Sequence, residues 1–383
     1  MKKIDKTIYE MTNPAFEESM KILLDLDNKI SYRNNFSDRK TNKKKIAIVY
    51  DRDGWAFCNI ANQIKRNLGN EFDITIFPVS VFNDNPVQLL LIADQFDLVH
   101  CLWRGQLACL DYEYVRGYIY NMGYTFDEFL DKYLKPANIT TSVYDHKFLD
   151  DENFNTTKSF AKYAKNYTVS STILGNIYNN LDIDKKPMAV ISDGVDTSKF
   201  KPNNLERFEF ENISNRKIKI GWVGNSEFTY SEGDSDLKGV RKIIKPALEE
   251  LIEEGYPIEL KFADRKDGYI PHDKMPDYYN TIDVYICASK NEGTPNPVLE
   301  SMASGVPIIS TDVGIVRDAF GKKQREFILE ERSKEQLKSK IIKLLESKEK
   351  FKELSQENLK QIEDWTWEKK CNQFREFFLK NLK

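Results

Sequence analysis

The chain contains little histidine and little cysteine for its length. Of its 383 residues three are histidine and five are cysteine, and the cysteine spacings match no zinc-site pattern. The odd count, and the place of Cys101 and Cys287 within strand-like runs, favour reduced packing cysteines over disulfides. Asp234 and Asp236 have the spacing of a divalent-metal clamp, but no strand precedes them, so we expect solvated loop charges. The sequence therefore predicts no metal site.

Long apolar runs and an excess of positive charge are also missing. Leu89–Ala93 is as long as any uninterrupted apolar run, whereas a membrane helix needs ~20 such residues. No apolar stretch follows the first charged residues, so no secretory signal is visible. The 57 basic and 60 acidic residues leave a net charge of −3, which argues against a nucleic-acid-coating protein. We expect a cytoplasmic chain of about two domains.

Residues 1–45 differ in composition from the rest and form a predicted N-terminal extension. They end in a basic stretch at 39–45. The first interpretation is a solvated segment that leads into the first strand. The alternative is a weak peripheral contact of 39–45 with anionic lipid at the inner face of a membrane, worth ~1 kcal/mol per basic residue.

From residue 46 onward, short apolar runs alternate with helical periodicity, which is typical of βαβ units and parallel sheets. Before a polar linker at 201–216, the predicted strands are Ile46–Tyr50, Ile74–Phe77, Leu98–Leu102, Ile139–Val143, Tyr167–Ser170 and Met188–Ile191. After it they are Ile218–Val223, Ile258–Phe262, Val284–Ala288, Pro307–Ser310 and Glu326–Leu329. Ser333 is predicted to cap a helix that runs to Leu345. The predicted fold class is α/β, with two Rossmann-like domains facing across a cleft.

The segment from Glu292 to Glu300 contains the densest functional signal. It follows the predicted strand Val284–Ala288 and enters a predicted helix at Pro297. Backbone N–H groups in the first turn of a helix lack intrahelical partners and favour an anion. The two carboxylates flank this anion site, where they could accept hydrogen bonds from sugar hydroxyls. Diphosphate is the expected ligand.

Residues 292–311 resemble the signature of family 4 of the retaining glycosyltransferases. Further landmarks of that family match in order at Asp97–His100, Ser192–Pro202, Lys238–Gly239 and Trp365–Trp367. The resemblance implies the GT-B fold, in which the C-terminal domain binds most of the sugar nucleotide. It implies an N-terminal acceptor domain at 46–205, a nucleotide-sugar domain at 206–365, and a last helix at 366–383 that crosses back to the first domain.

The resemblance also implies a role for each matching position. Glu292 would hold the donor sugar, Glu300 the ribose, and Lys238 the diphosphate. The remaining predicted donor contacts are Gly224, Asn225, Gly293, Thr294, Pro295, Asn296 and Pro297. Across the cleft, the predicted catalytic residues are Asp145 and His146, and the predicted acceptor contacts are Gly54, Trp55 and His100. The implied co-substrate is a UDP- or GDP-linked sugar, with no cofactor and no metal.

Several positions depart from the family pattern. A basic residue usually follows Gly224, but here Asn225 stands there, and Arg241 and Arg265 are candidates to replace it. Tyr144 occupies the usual place of a histidine, with His146 two residues later. The loop around Gly54 and Trp55 lacks a double glycine. The acceptor contacts are therefore the least transferable part of the resemblance.

These expectations describe an enzyme that transfers a sugar to an acceptor hydroxyl with retention, in bacterial-type surface glycan or glycoconjugate assembly. The acceptor would be a glycan, a lipid-linked molecule or a small molecule, and not a nucleic acid. Two alternatives stay open. One is a catalytically weak sugar-nucleotide-binding subunit, which Asn225 and Tyr144 would suit. The other is a different GT-B enzyme such as a sugar-nucleotide epimerase, against which the Glu292–Glu300 loop argues.

Overall fold

The computed structural model describes residues 42–147, 149, 154–228 and 236–382. Almost all of the predicted N-terminal extension lies outside these ranges, as does Asp234. Of the predicted lipid contact at 39–45, residues 42–45 are described. Lys43 donates a hydrogen bond to the Gly69 carbonyl oxygen, and Lys44 forms an ion pair with Asp97 at 3.0 Å. These two lysines thus lie against the protein surface.

The first half of the chain forms a six-stranded parallel sheet. Its strands are β1 (Lys45–Tyr50), β2 (Asp73–Pro78), β3 (Leu98–Cys101), β4 (Ile139–Val143), β5 (Asn166–Val169) and β6 (Ala189–Val190). Their order in the sheet is β2-β1-β3-β4-β5-β6. Strands buried on both faces read as short, nearly continuous apolar runs, which is why the sequence predicted each of them.

Helices connect these strands on both faces of the sheet. They are α1 (Ala56–Leu68), α2 (Pro86–Ile92), α3 (Gly105–Ala108), α4 (Glu113–Asn121), α5 (Phe126–Phe129), α6 (Phe154–Tyr163) and α7 (Thr172–Asn180). Local capping explains several of the starts. For example, Thr125 and Glu128 form a reciprocal capping box at α5, and the Ser171 hydroxyl accepts from the Leu174 N–H at α7.

The second half forms a five-stranded parallel sheet. Its strands are β7 (Ile218–Gly224), β8 (Ile258–Asp264), β9 (Val284–Cys287), β10 (Ile308–Thr311) and β11 (Ile328–Leu329), in the order β11-β10-β9-β7-β8. The helices are α8 (Phe210–Ser214), α9 (Lys245–Glu253), α10 (Met275–Tyr279), α11 (Asn296–Ala303), α12 (Val316–Ala319), α13 (Lys334–Glu346), α14 (Glu349–Gln361) and α15 (Trp367–Asn381). Ser333 caps α13 as predicted, since its hydroxyl accepts from the Gln336 N–H.

The strand order fixes where ligands can bind in each sheet. In the first sheet, β1 lies between β2 and β3, and in the second, β7 lies between β8 and β9. The chain reverses direction across the sheet at these points, and such switch points open a crevice at the carboxyl ends of the strands. The loops after β1, β3, β7 and β9 therefore line the expected binding crevices.

The last helix packs against the first half of the chain. Trp367, Cys371 and Phe374 of α15 share a core with Ile46 of β1 and Ile60 of α1. The segment before α15 is tied to the connection after β6, because Val195 and Thr366 pair as a β-bridge. The predicted GT-B architecture, with two Rossmann-like domains and a returning helix, is confirmed. None of the helices in the described ranges combines the length and apolar character needed to span a bilayer.

Candidate functional site

The loop between β9 and α11 approaches the first half of the chain directly. Gly293 is buried, and a Cβ at this position would overlap the Tyr144 carbonyl oxygen. Only glycine allows this close approach of two backbones. Pro295 occupies the N-cap of α11 and provides no side-chain hydrogen bond there. Pro297 has no N–H, and the Val298 N–H donates to the Pro295 carbonyl oxygen at 2.8 Å, so the Asn296 N–H and the positive end of the helix dipole are what the first turn offers an anion at this edge.

Glu292 and Lys238 are in direct contact at this edge. Lys238 Nζ lies 2.5 Å from Glu292 Oε1, and both side chains are largely buried. Gly239 adopts a left-handed φ of 74°, and a Cβ there would overlap the Ala288 carbonyl oxygen. The glycine thus lets the Lys238 loop lie against the end of β9. The predicted sugar-binding carboxylate and the predicted diphosphate cation form one ion pair.

Arg332, which was not predicted from the sequence, binds the backbone on both sides of this ion pair, after β9 and before Lys238. Its guanidinium donates to the Ala288 carbonyl oxygen at 2.8 Å and to the Asp236 carbonyl oxygen at 2.7 Å. These two oxygens belong to the end of β9 and to the loop that carries Lys238. An arginine that bridges them holds the loop in place. No local motif marks such a bridge, because its partners lie far away in the sequence.

Glu300 is buried in the first turns of α11 and has two protein partners. Tyr279 Oη donates to Glu300 Oε2 at 2.6 Å, and His272 Nε2 lies 3.2 Å from Glu300 Oε1. The hydrogen bond to Glu300 raises the pKa of His272 above its usual value. A carboxylate has about four lone-pair sites, so Glu300 keeps acceptor capacity for further hydrogen bonds. Tyr279 and His272 were also missed by the sequence analysis.

The end of β7 uses local backbone contacts where the family pattern has a basic residue. Gly224 pairs with Asp264 at the end of β8, and its carbonyl oxygen accepts from the Arg265 N–H at 2.8 Å. The Asn225 side chain accepts from the Glu227 N–H at 3.0 Å, which closes a local turn. Arg265, a predicted replacement cation, places its guanidinium over the Tyr269 ring at 5.7 Å.

Across the cleft, Asp145 and His146 follow the end of β4. Asp145 forms an ion pair with the buried Arg104 at 2.8 Å. Burial alone would raise the pKa of Asp145, but Arg104 and the Lys147 N–H lower it below its usual value. The adjacent His146 has a lowered pKa because burial disfavours its charged form, while the carboxylates of Asp145 and Glu292 oppose that effect. The position of a Gly293 Cβ lies against the Tyr144 carbonyl oxygen, two residues before His146, so the loop after β9 and the loop after β4 meet here.

His100 does not fit its predicted acceptor-side role. It is fully buried in β3, with its ring nitrogens 3.0 Å from Thr140 Oγ1 and 3.1 Å from Ser142 Oγ. Phe374 and Phe378 of α15 cover the ring edge-on. Burial lowers the pKa of His100 to about 3, so the imidazole is neutral. His100 is therefore a core residue whose ring nitrogens hydrogen-bond with two buried hydroxyl groups.

Gly54 and Trp55 lie at the carboxyl end of β1, beside the first switch point. Trp55 is 54% exposed, and the Arg52 guanidinium lies over its ring at 5.1 Å. Gly54 has a positive φ of 76° and no atoms near the position of a Cβ. An accessible aromatic face at this edge suits stacking against an acceptor sugar, and the contact itself stays a prediction.

Comparison with known proteins gives matches over parts of the chain and over its fold. Residues 267–361 match the family model described as glycosyl transferases group 1. A protein named as a teichuronic acid biosynthesis glycosyltransferase, TuaC of Bacillus subtilis (strain 168), is 41% identical over 61 residues, which is 16% of each chain. Protein CapJ of Staphylococcus aureus is 26% identical over 186 residues, 43% of this chain and 45% of CapJ.

Solved structures extend the likeness to most of the fold. The crystal structure of Anabaena Alr3699/HepE in complex with UDP superimposes with a TM-score of 0.58, covering 88% of this chain and 100% of HepE at 13% identity. The sequence matches to TuaC and CapJ span less than half of each relative. The matched residues 267–361 include the Glu292–Glu300 loop with α11, and they are similar to the group 1 glycosyl transferases, within a chain that has the GT-B fold.

Proposed function

We propose that this protein is a retaining glycosyltransferase that uses a UDP- or GDP-linked sugar and an acceptor hydroxyl. The observation that carries the proposal is the Glu292–Lys238 ion pair beside the α11 N-terminus, in a loop that packs against the Tyr144 backbone across the cleft. TuaC is named for teichuronic acid biosynthesis, and HepE was crystallised with UDP. Bacterial-type surface glycan assembly is therefore the proposed setting.

In this proposal the diphosphate lies at the N-terminus of α11. The bond between the sugar's anomeric carbon and the β-phosphate oxygen breaks, and a bond to the acceptor oxygen forms on the same face. The acceptor proton passes to the leaving diphosphate. Donors that are already oriented toward developing charge stabilise such a transition state most effectively. The Asn296 N–H, the positive end of the α11 dipole and Lys238 supply them here, so the proposal needs no metal and no cofactor.

The other side chains that line the cleft each have a proposed partner in the sugar nucleotide or the acceptor. Glu292 holds hydroxyls of the sugar while Lys238 orients its carboxylate. Glu300 holds the ribose, and Tyr279 fixes the carboxyl group through its 2.6 Å hydrogen bond. On the other wall, neutral His146 contacts the reacting centre, and Trp55 offers a face to the acceptor. The acceptor is a glycan, a lipid-linked molecule or a small molecule.

A panel of sugar nucleotides tests this function. The purified chain is heated with UDP-, GDP- and ADP-linked sugars, and a ligand at 100 times its Kd is expected to stabilise it by ~2.7 kcal/mol. Slow release of free nucleotide from the stabilising donor would support a transferase. Tight binding without any release, with acceptors present, would favour the sugar-nucleotide-binding subunit. Absence of stabilisation by every donor would contradict the proposal.

A further inference from the structure

Asp193 is a buried carboxylate with only part of its hydrogen-bonding capacity used. It follows β6, in the segment that connects the two halves of the chain, and is 3% exposed. Its Oδ2 accepts from Asn296 Nδ2 at 3.2 Å, while the buried Oδ1 has no hydrogen-bond partner in the described chain. No ion pair involving Asp193 occurs among the described residues. A buried charge without a counter-charge is costly, so this side chain calls for an explanation.

Hydrogen bonds to the start of α15 fix the backbone next to Asp193. The Val195 N–H donates to the Trp365 carbonyl oxygen at 2.8 Å, and the Trp367 N–H donates to the Val195 carbonyl oxygen at 3.3 Å. A Cβ on Gly194 would lie 2.6 Å from the Trp367 nitrogen, which leaves no room for displacement. Asp193 is thus attached to the start of α15.

From this fixed position Asp193 makes two hydrogen bonds to the diphosphate-binding loop. Besides the Asn296 contact, the Asp193 N–H donates to Thr294 Oγ1 at 3.3 Å. Thr294 and Asn296 bracket Pro295 at the N-cap of α11. One residue of the connecting segment therefore holds both sides of the helix start where the diphosphate is expected.

The surroundings favour the neutral form of Asp193. Burial raises its pKa to about 7, although the Asn296 hydrogen bond opposes the shift. Tyr144, which follows β4, interacts electrostatically with Asp193, and burial raises the pKa of Tyr144 well above its usual value. Tyr144 in turn faces Cys371 of α15, where burial raises the thiol pKa to about 12. Near pH 7 these two neighbours are uncharged, and the residues contacted on the loop are Thr294 and Asn296.

We propose that Asp193 is a positioning residue that holds the diphosphate-binding loop, and that it is protonated whenever a sugar nucleotide is bound. The inference rests on the proposed function and deepens it. An anion at the start of α11 is compatible with a neutral carboxyl group and is repelled by an ionised one. Donor binding then takes up a proton at Asp193, and donor affinity falls as the pH rises through 7.

The first test needs no nucleotide. A carboxyl group with a raised pKa loses stability as the pH rises from its unfolded value near 4 toward 7, because the unfolded chain ionises first. Asp193→Asn cannot ionise but keeps an acceptor for Asn296. We therefore expect the Tm of Asp193→Asn relative to wild type to increase from pH 5 to about pH 7 and to level off by pH 8. The control Asp312→Asn, at a partly exposed ion pair with Arg317, should show no such trend. A Tm offset that is equal at every pH would overturn the proposal.

The second test measures binding of UDP-glucose and GDP-mannose by calorimetry at pH 6 and pH 8. Their doubly esterified diphosphates do not titrate in this range. Wild-type affinity should fall roughly tenfold between the two pH values, and that of Asp193→Asn by less than about threefold. Asp193→Ala, which also loses the Asn296 hydrogen bond, should bind weakly at both. His272 contributes equally to both of the first two proteins, so their difference isolates Asp193.

The outcomes separate the two proposals. If wild type binds no sugar nucleotide of the thermal panel at pH 6, the proposed function fails, and the Tm trend still decides whether Asp193 is protonated in the folded chain. If wild type binds and Asp193→Asn has the same pH dependence, the proposed function survives and the role of Asp193 is wrong.

Discussion

The two walls of the cleft use charge in opposite ways. On the C-terminal wall, Glu292 and Lys238 pair with each other at the edge where the diphosphate is expected. On the N-terminal wall, the ion pair is between Arg104, which is 1% exposed, and Asp145. There His146, next to Asp145, is neutral at pH 7, because burial lowers its pKa below the usual value. Charged groups thus lie at the expected diphosphate site on one wall, whereas on the other the buried arginine of the ion pair also donates to the Lys147 carbonyl oxygen and supports the backbone.

In the proposed function, this difference follows from what each wall has to bind. A donor diphosphate brings negative charge, and a cation together with a helix N-terminus compensates it. An acceptor hydroxyl is neutral and requires shape and hydrogen bonds. We infer that substitutions at charged residues should mainly reduce stability on the N-terminal wall and mainly reduce activity on the C-terminal wall.

The largest effect is expected for Asp145→Ala. It leaves the buried Arg104 guanidinium without the carboxylate that it pairs with, which typically costs 3–5 kcal/mol, so we expect about 3 kcal/mol. Because the folded-state pKa of Asp145 is lowered, its contribution is present above pH ~4 and is lost as the pH falls through the folded value. Urea unfolding at pH 7 and pH 3 measures both effects.

The matched control for Asp145 is the more exposed pair of Asp312 and Arg317. Asp312→Ala should cost at most ~1 kcal/mol, as exposed ion pairs do. Equal losses for the two variants would remove the distinction between a supporting charge pair and an ordinary surface pair.

A smaller free-energy effect, confined to activity, is expected for Glu292→Gln. It keeps the shape of the side chain but removes the charge that meets Lys238 and, in our proposal, the donor sugar. We expect a loss of about 100-fold in kcat/KM, or ~2.7 kcal/mol, with a Tm within a few degrees of wild type. Glu331→Gln, at an exposed glutamate of the same half, should retain full activity. Transfer at the wild-type rate would rule out the role assigned to Glu292.

The sequence predicted the C-terminal wall better than the N-terminal wall, because the residues of the C-terminal wall lie close together in the sequence. Glu292, the α11 start and Glu300 lie within nine consecutive residues, so one motif shows the whole arrangement. The ion pair of Arg104 with Asp145 joins loops 41 residues apart. No short pattern marks Arg104 as buried, since loop arginines are usually solvated.

His100 shows the same limit in the strands. Its place in the apolar run Leu98–Leu102 predicts a buried strand, and that is confirmed. The resemblance nevertheless placed it on the acceptor side. The residues that bury it, Phe374 and Phe378, come from α15 at the other end of the chain. Only the crossing of α15 onto the first sheet decides between a core histidine and a ligand contact.

The smallest effect is expected for His272→Gln, at the edge of the C-terminal wall. The His272 pKa is raised chiefly by the hydrogen bond to Glu300. Its contribution is therefore fully present below pH ~6.5 and is lost as the pH rises through the folded value. Since more than half of the side chain is exposed, solvent screening should keep the stability loss well under 1 kcal/mol at pH 6 and near zero at pH 9. Thermal unfolding at the two pH values measures this difference. A loss as large as that of Asp145→Ala would mean that charge also supports the backbone on the C-terminal wall. The contrast between the two walls would then not hold.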